Sequence, residues 1–343
     1  MDSVPSEYIN RLTSEIRANS DEIRPCDTIY FGGGTPSILS PDQLEKVFDA
    51  VNSSFSIEKG AEITLEVNPG TVDKKKLSAF RSLGVTRLSI GLQSTHKDEL
   101  SALGRIHTYD EFLECYSDAR TVGFDNINLD LMYGIPHMTA SSFRETLDRV
   151  TELSPEHLSL YGLILEEGTP LHRMKDTLPF PTEDAECDMY FEAAKILRKN
   201  GYSHYEISNY AKPGYESRHN LKYWSRDEYI GFGASAASYY GGKQLTNTHD
   251  INEYIFSSEK KYESEEPSDG DTLAFEYAML RLRLKDGILL SEYKRRFGRD
   301  FAYGREQKLR RLADLGLAVF DLDRFCLTEQ GFYVSNSILT EIL

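Results

Sequence analysis

A glycine-rich turn, FGGGTP at residues 31–36, is the strongest local signal for chemistry in this sequence of 343 residues. Three glycines directly after a predicted strand let the backbone approach a ligand closely and present N–H groups to a carboxylate, or carbonyl groups to an ammonium. The turn lacks the Lys-Ser/Thr pair of a phosphate-binding P-loop and the spacing of a G-x-G-x-x-G dinucleotide motif. It predicts a small-molecule site, with a purely structural turn as the open alternative.

Four polar residues further along the chain have side chains suited to such a ligand. Glu66, at the end of a predicted strand in LEVNPG, can accept hydrogen bonds from ribose hydroxyls or an amine, or can pair with a basic residue. Gln93 and Arg105 offer an amide and a guanidinium, which suit a ribose or a carboxylate. Asp130 lies inside an otherwise apolar strand, where burying a carboxylate is costly without a partner. We therefore predict that Asp130 is a site residue.

The segment HNLKYW at residues 219–224 suggests a second kind of ligand. It places the imidazole of His219 close to an amide and to the large rings of Tyr223 and Trp224. Such a cluster can stack on a flat macrocycle or bind its metal through the histidine as an axial ligand. A packed loop with a hydrogen-bonded histidine is the competing interpretation.

The cysteines argue against a metal cluster built from this chain alone. Their positions are far apart and show no C-x-x-C spacing, at Cys26, Cys115, Cys187 and Cys326. Zinc and iron–sulfur sites usually need closely spaced pairs of thiolates. We predict reduced, mostly buried thiols.

Composition and charge restrict the class of protein. Lys plus Arg number 39 and Asp plus Glu number 55, which gives a formal charge of −16. A chain with this charge is repelled by nucleic acid and anionic lipid unless its basic residues are segregated. Residues 281–311 are rich in Lys and Arg, although the solvated faces of two helices explain them. The apolar runs fall far short of the roughly 20 residues that cross a bilayer, and the acidic N-terminus is no secretory signal. These features predict a cytoplasmic protein.

The elements that would position these residues alternate along the first 210 positions. Strands are predicted at residues 28–31, 62–67, 87–92, 126–132, 157–163 and 205–207. Helices begin at Ser40, which forms a capping box with Gln43, at Ser141 or Ser142, and at Thr182. This alternation predicts a parallel sheet with crossover helices.

Both an open doubly wound sheet and a (β/α) barrel fit this alternation. Polar or glycine residues follow five of the predicted strands at their carboxyl ends, where the loops of a barrel converge. An open sheet would concentrate them on two strands. Because six strands are predicted rather than eight, we expect an incomplete TIM-like barrel over residues 1–210.

Residues 211–270 are predicted as an aromatic and glycine-rich connection that ends in a polar linker at 257–270. Residues 271–343, with three helices and strands at 318–322 and 324–328, outline a winged-helix-like module.

The order of the motifs resembles a known family. FGGGTP, LEVNPG, RLSIGLQS, LGRIHT, NLDLMYGIP, HLSLYGLILEEGTPL, YEISNYA and HNLKYW follow one another, and LTEQGFYVSNSIL comes near the end. In this respect the chain, from about residue 27 onward, resembles the radical S-adenosylmethionine proteins related to anaerobic coproporphyrinogen III oxidase. Within that family it is most similar to the heme-chaperone branch.

The resemblance implies an incomplete barrel that binds S-adenosylmethionine across the carboxyl ends of its strands. The family's contacts to the methionine part correspond to Gly33, Gly34 and Thr35. Its other contacts to this cofactor correspond to Glu66, Gln93, Arg105, Asp130 and, through the backbone, Ile164. In the chaperone branch the HNxxYW segment is associated with heme, which implies His219, Tyr223 and Trp224 as heme candidates. Heme and heme-accepting proteins are the implied partners, whereas peripheral membrane contact and the oligomeric state stay open.

One family feature has no counterpart in this sequence. Members carry C-x-x-x-C-x-x-C on a first strand, where three thiolates hold a [4Fe–4S] cluster, whereas this chain opens inside the following helix, at residues 8–18. Cys26 lies on the wrong side of that helix. The cluster is therefore expected only if a further N-terminal segment supplies the motif, and reductive cleavage of the cofactor is not expected of the chain as given. A misplaced start and a paralogue that lost the chemistry are both open, and the four intact polar residues favour the first.

Two other functions compete with heme trafficking. An oxygen-independent coproporphyrinogen III oxidase is the enzymatic alternative, although that branch is expected to have a longer N-terminal region and no HNxxYW. A nucleic-acid binder would use the basic stretch of residues 271–343, which the overall charge opposes.

Overall fold

The computed structural model describes residues 4–19, 25–257, 262–267 and 270–343. After helix α1 (Ser6–Ala18), seven strands form the main sheet: β1 (Pro25–Phe31), β2 (Ser56–Val67), β3 (Arg87–Gln93), β4 (Ile127–Tyr133), β5 (His157–Gly162), β6 (Ser203–His204) and β7 (Asn209–Ala211). Their order in the sheet is β1-β2-β3-β4-β5-β7-β6. The first five strands are parallel, and β7 runs antiparallel to both of its neighbours. This arrangement confirms the predicted α/β half-barrel.

The sixth predicted strand, at residues 205–207, is wrong. These residues connect β6 to β7, and Glu206 forms an isolated bridge with Leu284 instead. Because β6 and β7 run antiparallel to each other, the chain must reverse direction between them. Tyr205 and Ile207, whose aromatic and β-branched character predicted a strand, are half-buried residues of this connection.

Helices that follow the strands cover the outer face of the sheet. They are α2 (Pro41–Ser54), α3 (Lys74–Leu83), α4 (Lys97–Ala102), α5 (Tyr109–Thr121), α6 (Ala140–Leu153), α7 (Pro170–Arg173) and α8 (Glu183–Lys199). The capping box of Ser40 with Gln43 and the Thr182 cap are present as predicted. The start of α6 differs, because Thr139 is its N-cap and Ser142 occupies the third helical position of the same capping box.

The two faces of the half-barrel have opposite character. On β3, Leu88, Ile90 and Leu92 are fully buried in the core that the outer helices share. The alternate residues of the same strand, Arg87 and Ser89, belong to the opposite, inner face, because successive side chains of a strand alternate. Buried polar side chains also occupy the matching positions on neighbouring strands, at Thr64, Asn128, His157 and Ser159. The fold therefore directs its polar groups to the inner face.

The connecting segment contains more secondary structure than was predicted. It forms α9 (Arg218–Ser225), β8 (Ala237–Tyr240), β9 (Lys243–Asn247), α10 (Ile251–Phe256) and β10 (Tyr262–Pro267). The last strand pairs with β9 inside the region predicted as a linker, because an edge strand can be polar and still satisfy its backbone through pairing. Residues 258–261 and 268–269 of the predicted linker lie outside the described residues.

The C-terminal region has a core of its own. It consists of α11 (Gly270–Arg281), β11 (Ile288–Leu289), α12 (Leu290–Phe297), α13 (Glu306–Asp314), β12 (Ala318–Phe320), β13 (Arg324–Leu327), α14 (Glu329–Tyr333) and α15 (Ser335–Ile342). Three helices and the pair β12 and β13 match the predicted outline, whereas β11, α14 and α15 were not predicted. Within the described ranges, no helix combines the length and apolar character needed to cross a membrane.

Candidate functional site

A polar cavity of about 350 Å³ lies at the carboxyl ends of the parallel strands. We call it the rim cavity. Its walls contain six of the residues that the sequence singled out, namely Gly34, Thr35, Glu66, Gln93, Arg105 and Asp130. Tyr30, Asn68, Ser89 and Tyr161 are among the residues that complete the lining. Residues as far apart in the sequence as Tyr30 and Tyr161 therefore meet at one place, because the parallel strands end at the same edge of the sheet.

Two predicted residues do not line the rim cavity. Gly33 has a φ of 77° and directs its backbone N–H to the carboxylate of Glu66, so it shapes the wall indirectly. Ile164 follows β5 and is 80% exposed, outside the lining. The backbone contact implied for Ile164 stays a prediction.

Glu66 is held at the cavity wall by Tyr30. The Tyr30 hydroxyl donates a hydrogen bond of 2.9 Å to Oε1 of Glu66. A Cβ atom at position 32 would lie 2.7 Å from the Tyr30 ring and 2.9 Å from the same carboxylate oxygen, so this position requires glycine. Burial raises the pKa of Glu66, and the nearby Asp130 carboxylate adds to the rise. The first glycine of FGGGTP thus has a steric explanation.

Asp130 accepts hydrogen bonds from residues of the inner face. The Ser89 hydroxyl donates to Oδ2 at 3.0 Å and the Asn128 amide donates to Oδ1 at 2.8 Å. Burial raises the pKa of Asp130, while these hydrogen bonds and the charge of Arg87 oppose the rise. The carboxylate is therefore oriented by neighbours and still faces the cavity.

Gln93 and Arg105 reach the cavity through irregular backbone. Gln93 has a φ of 67° and follows a register shift between β3 and β4, a bulge of the kind that redirects a side chain. The Arg105 guanidinium donates to Oδ1 of Asn68 at 3.2 Å, and the Asn68 amide donates to the Thr35 hydroxyl at 3.1 Å. These contacts link the glycine turn to Arg105 across the mouth of the cavity.

Sequence reasoning missed Tyr30 and Asn68. A signal for Tyr30 was available, because it alternates with Thr28 on β1 and precedes the glycine turn. Asn68 belongs to the LEVNPG segment and directly follows the strand end that carries Glu66. Both residues could have been found by counting strand alternation up to the rim.

Helix α9 places His219 against the inner face of β1. The imidazole stacks on the Tyr30 ring, with 5.1 Å between centroids and an interplanar angle of 25°. Its Nδ1 lies 2.9 Å from the Thr28 hydroxyl and its Nε2 lies 2.7 Å from the Tyr223 hydroxyl. Burial lowers the pKa of His219 to about 4, so the imidazole is neutral at pH 7.

The other two heme candidates differ in exposure. Tyr223 is partly exposed, and its ring meets Tyr229 edge-on at 4.6 Å. The Trp224 indole nitrogen is buried near the carboxylate of Glu206, while the Arg283 guanidinium lies 5.7 Å from the ring centroid. The three candidates therefore share one short helix, but only His219 touches the rim cavity's own residues.

The cysteines do not gather at this site. All four are free thiols; Cys115 and Cys326 are buried, whereas Cys26 and Cys187 are half-buried. The Cys26 thiol donates to the carbonyl of Thr28, and burial raises its pKa. Across the part of the chain that the structure describes, no three His, Cys, Asp or Glu residues form a group that could hold a metal ion. The described residues thus do not fit an iron–sulfur cluster.

Comparisons with known proteins place this geometry in a family. Residues 4–150 match the Radical SAM superfamily, and residues 269–334 match the HemN C-terminal domain. In structure, the chain is similar to coproporphyrinogen III oxidase (HemN) from Escherichia coli, with a TM-score of 0.85 at 23% identity, over 97% of this chain and 82% of that one. At this identity the likeness shows the shared fold alone.

Three curated relatives match nearly all of this chain. The heme chaperone HemW of Lactococcus lactis is 34% identical over 98% of this chain and 89% of its own length. HemW of Bacillus subtilis is also 34% identical, over 98% and 91% of the two chains. HemW of Escherichia coli is 33% identical, over 98% and 89%. The chain therefore belongs to the family of the heme chaperone HemW, which lies within the radical SAM superfamily.

Proposed function

We propose that this protein traffics heme, that it binds heme through α9, and that the rim cavity binds S-adenosylmethionine. The observation that carries the proposal is the position of the neutral imidazole of His219 against Tyr30, a residue of the rim cavity. The names of the relatives support the heme part, since each is called a heme chaperone. Heme-accepting proteins are the partners that this function requires.

The residues of the rim cavity fit an adenosyl-sulfonium ligand. Glu66 and Asp130 offer carboxylate oxygens to an amino group or to ribose hydroxyls. Arg105 and the backbone of the glycine turn offer donors to a carboxylate. Gly34 lines the cavity with a φ of 84°, a left-handed backbone conformation that favours glycine.

When bound, S-adenosylmethionine supplies a sulfonium centre with cleavable carbon–sulfur bonds. The residues of this chain bind and orient it: Tyr30 holds Glu66, and Ser89 with Asn128 holds Asp130. The described residues do not fit an iron–sulfur cluster, and none of these residue roles depends on one.

The imidazole of His219 is chemically ready to bind iron. A histidine binds a metal through a neutral ring nitrogen, and burial keeps this ring neutral by lowering its pKa to about 4. The Nε2 atom would exchange the Tyr223 hydroxyl for the iron. Tyr223, which reaches the surface, would then be free to contact the macrocycle.

Titration with hemin tests this function. We expect the wild-type protein to bind hemin saturably with a shifted Soret band, and His219→Ala to weaken binding at least tenfold. His172→Ala is the matched control, since His172 lies on α7, away from α9. The proposal fails if hemin does not saturate the wild-type protein, or if the two variants bind it equally well.

A further inference from the structure

Tyr30 contacts both candidate sites at once. Its hydroxyl donates to Glu66 in the rim cavity, and its ring stacks on His219 of α9. The ring lies close to the backbone of Gly32, where an added Cβ atom would come within 2.7 Å of it, so only glycine fits beside Tyr30. A change at one site therefore reaches the other through a single side chain.

In this structure, hydrogen bonds within the protein hold α9 and its His219 in place. The Glu62 carboxylate accepts the backbone N–H groups of Arg218 and His219 at 3.2 and 3.0 Å. Both ring nitrogens of His219 are engaged, with Thr28 and with Tyr223. Iron can bind the imidazole only after one of these two hydrogen bonds breaks. Groups that hold the ring in place thus oppose heme binding.

Glu66 is the point where a ligand would act on this arrangement. Its carboxylate already accepts the Tyr30 hydroxyl and the Gly33 N–H, and its pKa is raised by burial. A hydroxyl or amino group of a ligand in the rim cavity would compete with Tyr30 for the carboxylate. Glu66 is the hydrogen-bond partner of the Tyr30 hydroxyl among the described residues. Losing that bond would loosen the ring that holds His219.

We propose that Tyr30 is a positioning residue that couples occupancy of the rim cavity to release of the His219 imidazole. The proposal rests on the proposed function, because it needs heme to bind through His219. A ligand on Glu66 frees Tyr30, and His219 then exchanges its protein partner for iron more readily. Linkage requires the reverse effect to be equal, so heme strengthens binding of the ligand by the same factor.

The test measures hemin affinity with and without saturating S-adenosylmethionine. In the wild-type protein we expect about fivefold tighter hemin binding with S-adenosylmethionine, and the same factor for S-adenosylmethionine when hemin is bound, the low end for coupled sites. Tyr30→Phe keeps the ring and removes the hydroxyl, so this variant should bind hemin more tightly than the wild type when S-adenosylmethionine is absent. The ratio of its hemin affinities with and without S-adenosylmethionine should be near one. Tyr116→Phe is the matched control, since it removes a hydroxyl on α5 that donates to the Leu153 carbonyl, outside the rim cavity, and it should keep the coupling.

The outcomes separate the two proposals. Failure of the wild-type protein to bind hemin overturns the proposed function. Saturable hemin binding with a wild-type ratio near one, or a fivefold ratio that persists in Tyr30→Phe, overturns the coupling. Glu66→Gln provides a second variant if Tyr30→Phe does not fold, since a neutral acceptor weakens the Tyr30 hydrogen bond and should reduce the ratio. Equal ratios in Glu66→Gln and the wild type would also contradict the coupling.

Discussion

A buried acid, Glu206, lies in the connection between β6 and β7. It is fully buried and accepts the backbone N–H of Ser208 at 3.3 Å. Desolvation raises its pKa to about 7, although hydrogen bonds from its neighbours oppose the rise. The folded protein therefore keeps a proton on Glu206 that the unfolded chain loses near its ordinary value of 4.5.

This difference predicts a pH dependence of stability. A raised pKa means that the contribution of Glu206 is most favourable below about pH 4.5 and is lost as the pH rises through about 7. The free energy of unfolding falls by about 3 kcal/mol over this pH range, because the pKa of Glu206 rises from 4.5 to about 7 on folding. We expect Glu206→Gln to raise the thermal midpoint at pH 8 and to leave it nearly unchanged at pH 4.5. A variant that is equally stable relative to wild type at both pH values would contradict this.

Much of the rim cavity could be predicted at the residue scale. Glu66, Gln93 and Asp130 were found because polar residues at strand ends converge in a half-barrel. The partners of these residues could not be predicted, since Ser89 and Asn128 meet Asp130 only after the strands pair in the observed register. The stacking of His219 on Tyr30 likewise depends on how α9 returns to β1, which no local pattern contains.

At the scale of elements, α9 is attached to the half-barrel at its N-terminus. Two backbone N–H groups of its first turn donate to the carboxylate of Glu62 on β2, and the Ser217 hydroxyl accepts a third from Asn220. A carboxylate at this end also complements the helix dipole. Glu62 therefore acts as a cap supplied by a distant strand.

Removing this cap should act on heme as well as on stability. Glu62→Ala is expected to lower the free energy of unfolding by about 1–2 kcal/mol, as loss of a helix cap does, and to change hemin affinity because His219 loses its anchor. Asp73→Ala is the matched control, since Asp73 caps α3 by accepting the N–H of Lys76 at 2.7 Å, away from α9. Asp73→Ala should lower the free energy of unfolding by a similar amount without changing hemin affinity. Equal effects of both variants on hemin would contradict the role of α9.

The elements were predicted unevenly for a physical reason. Strands β1 to β5 carry β-branched and apolar runs bounded by capped helices, so local patterns suffice. Strands β6 and β7 have two and three residues, too few for a periodic pattern. Strand β10 lies in a polar stretch whose composition does not predict a strand, and its pairing with β9 is what makes it one.

On the scale of the whole molecule, a buried ion pair joins the connecting segment to the C-terminal region. Arg226 ends α9 in the left-handed conformation and forms an ion pair with Glu276 of α11. Its guanidinium also lies 4.0 Å from the ring centroid of Tyr239 on β8. The side chain of Arg226 is 2% exposed and that of Glu276 is 20% exposed, so the pair is largely desolvated.

Breaking a desolvated pair leaves a charge without compensation. Glu276→Ala should lower the free energy of unfolding by about 3 kcal/mol, at the low end for buried pairs. Asp271 lies on the same helix as Glu276 and forms an exposed ion pair with Arg299. Asp271→Ala should therefore lower the free energy of unfolding by about 1 kcal/mol or less. Chemical denaturation of both variants compares the two directly. If they lose the same stability, the buried pair does not hold the regions together as described.

On the scale of the whole chain, the basic stretch contains exposed ion pairs. The basic stretch at residues 281–311 lies mostly on exposed helices, where Arg310 pairs with Glu306 and Lys294 with Asp300. These pairs explain the stretch as solvated helix faces. The domain boundaries drawn from the sequence stay a proposal.

The central claim is that His219 of this chain binds heme iron. Pulsed electron paramagnetic resonance of the hemin complex, made with ¹⁵N-labelled histidine, measures that bond directly. We predict hyperfine coupling from one iron-bound histidine nitrogen in the wild-type protein and its loss in His219→Ala. Coupling that persists in the variant, or no histidine coupling in the wild-type complex, would contradict the account.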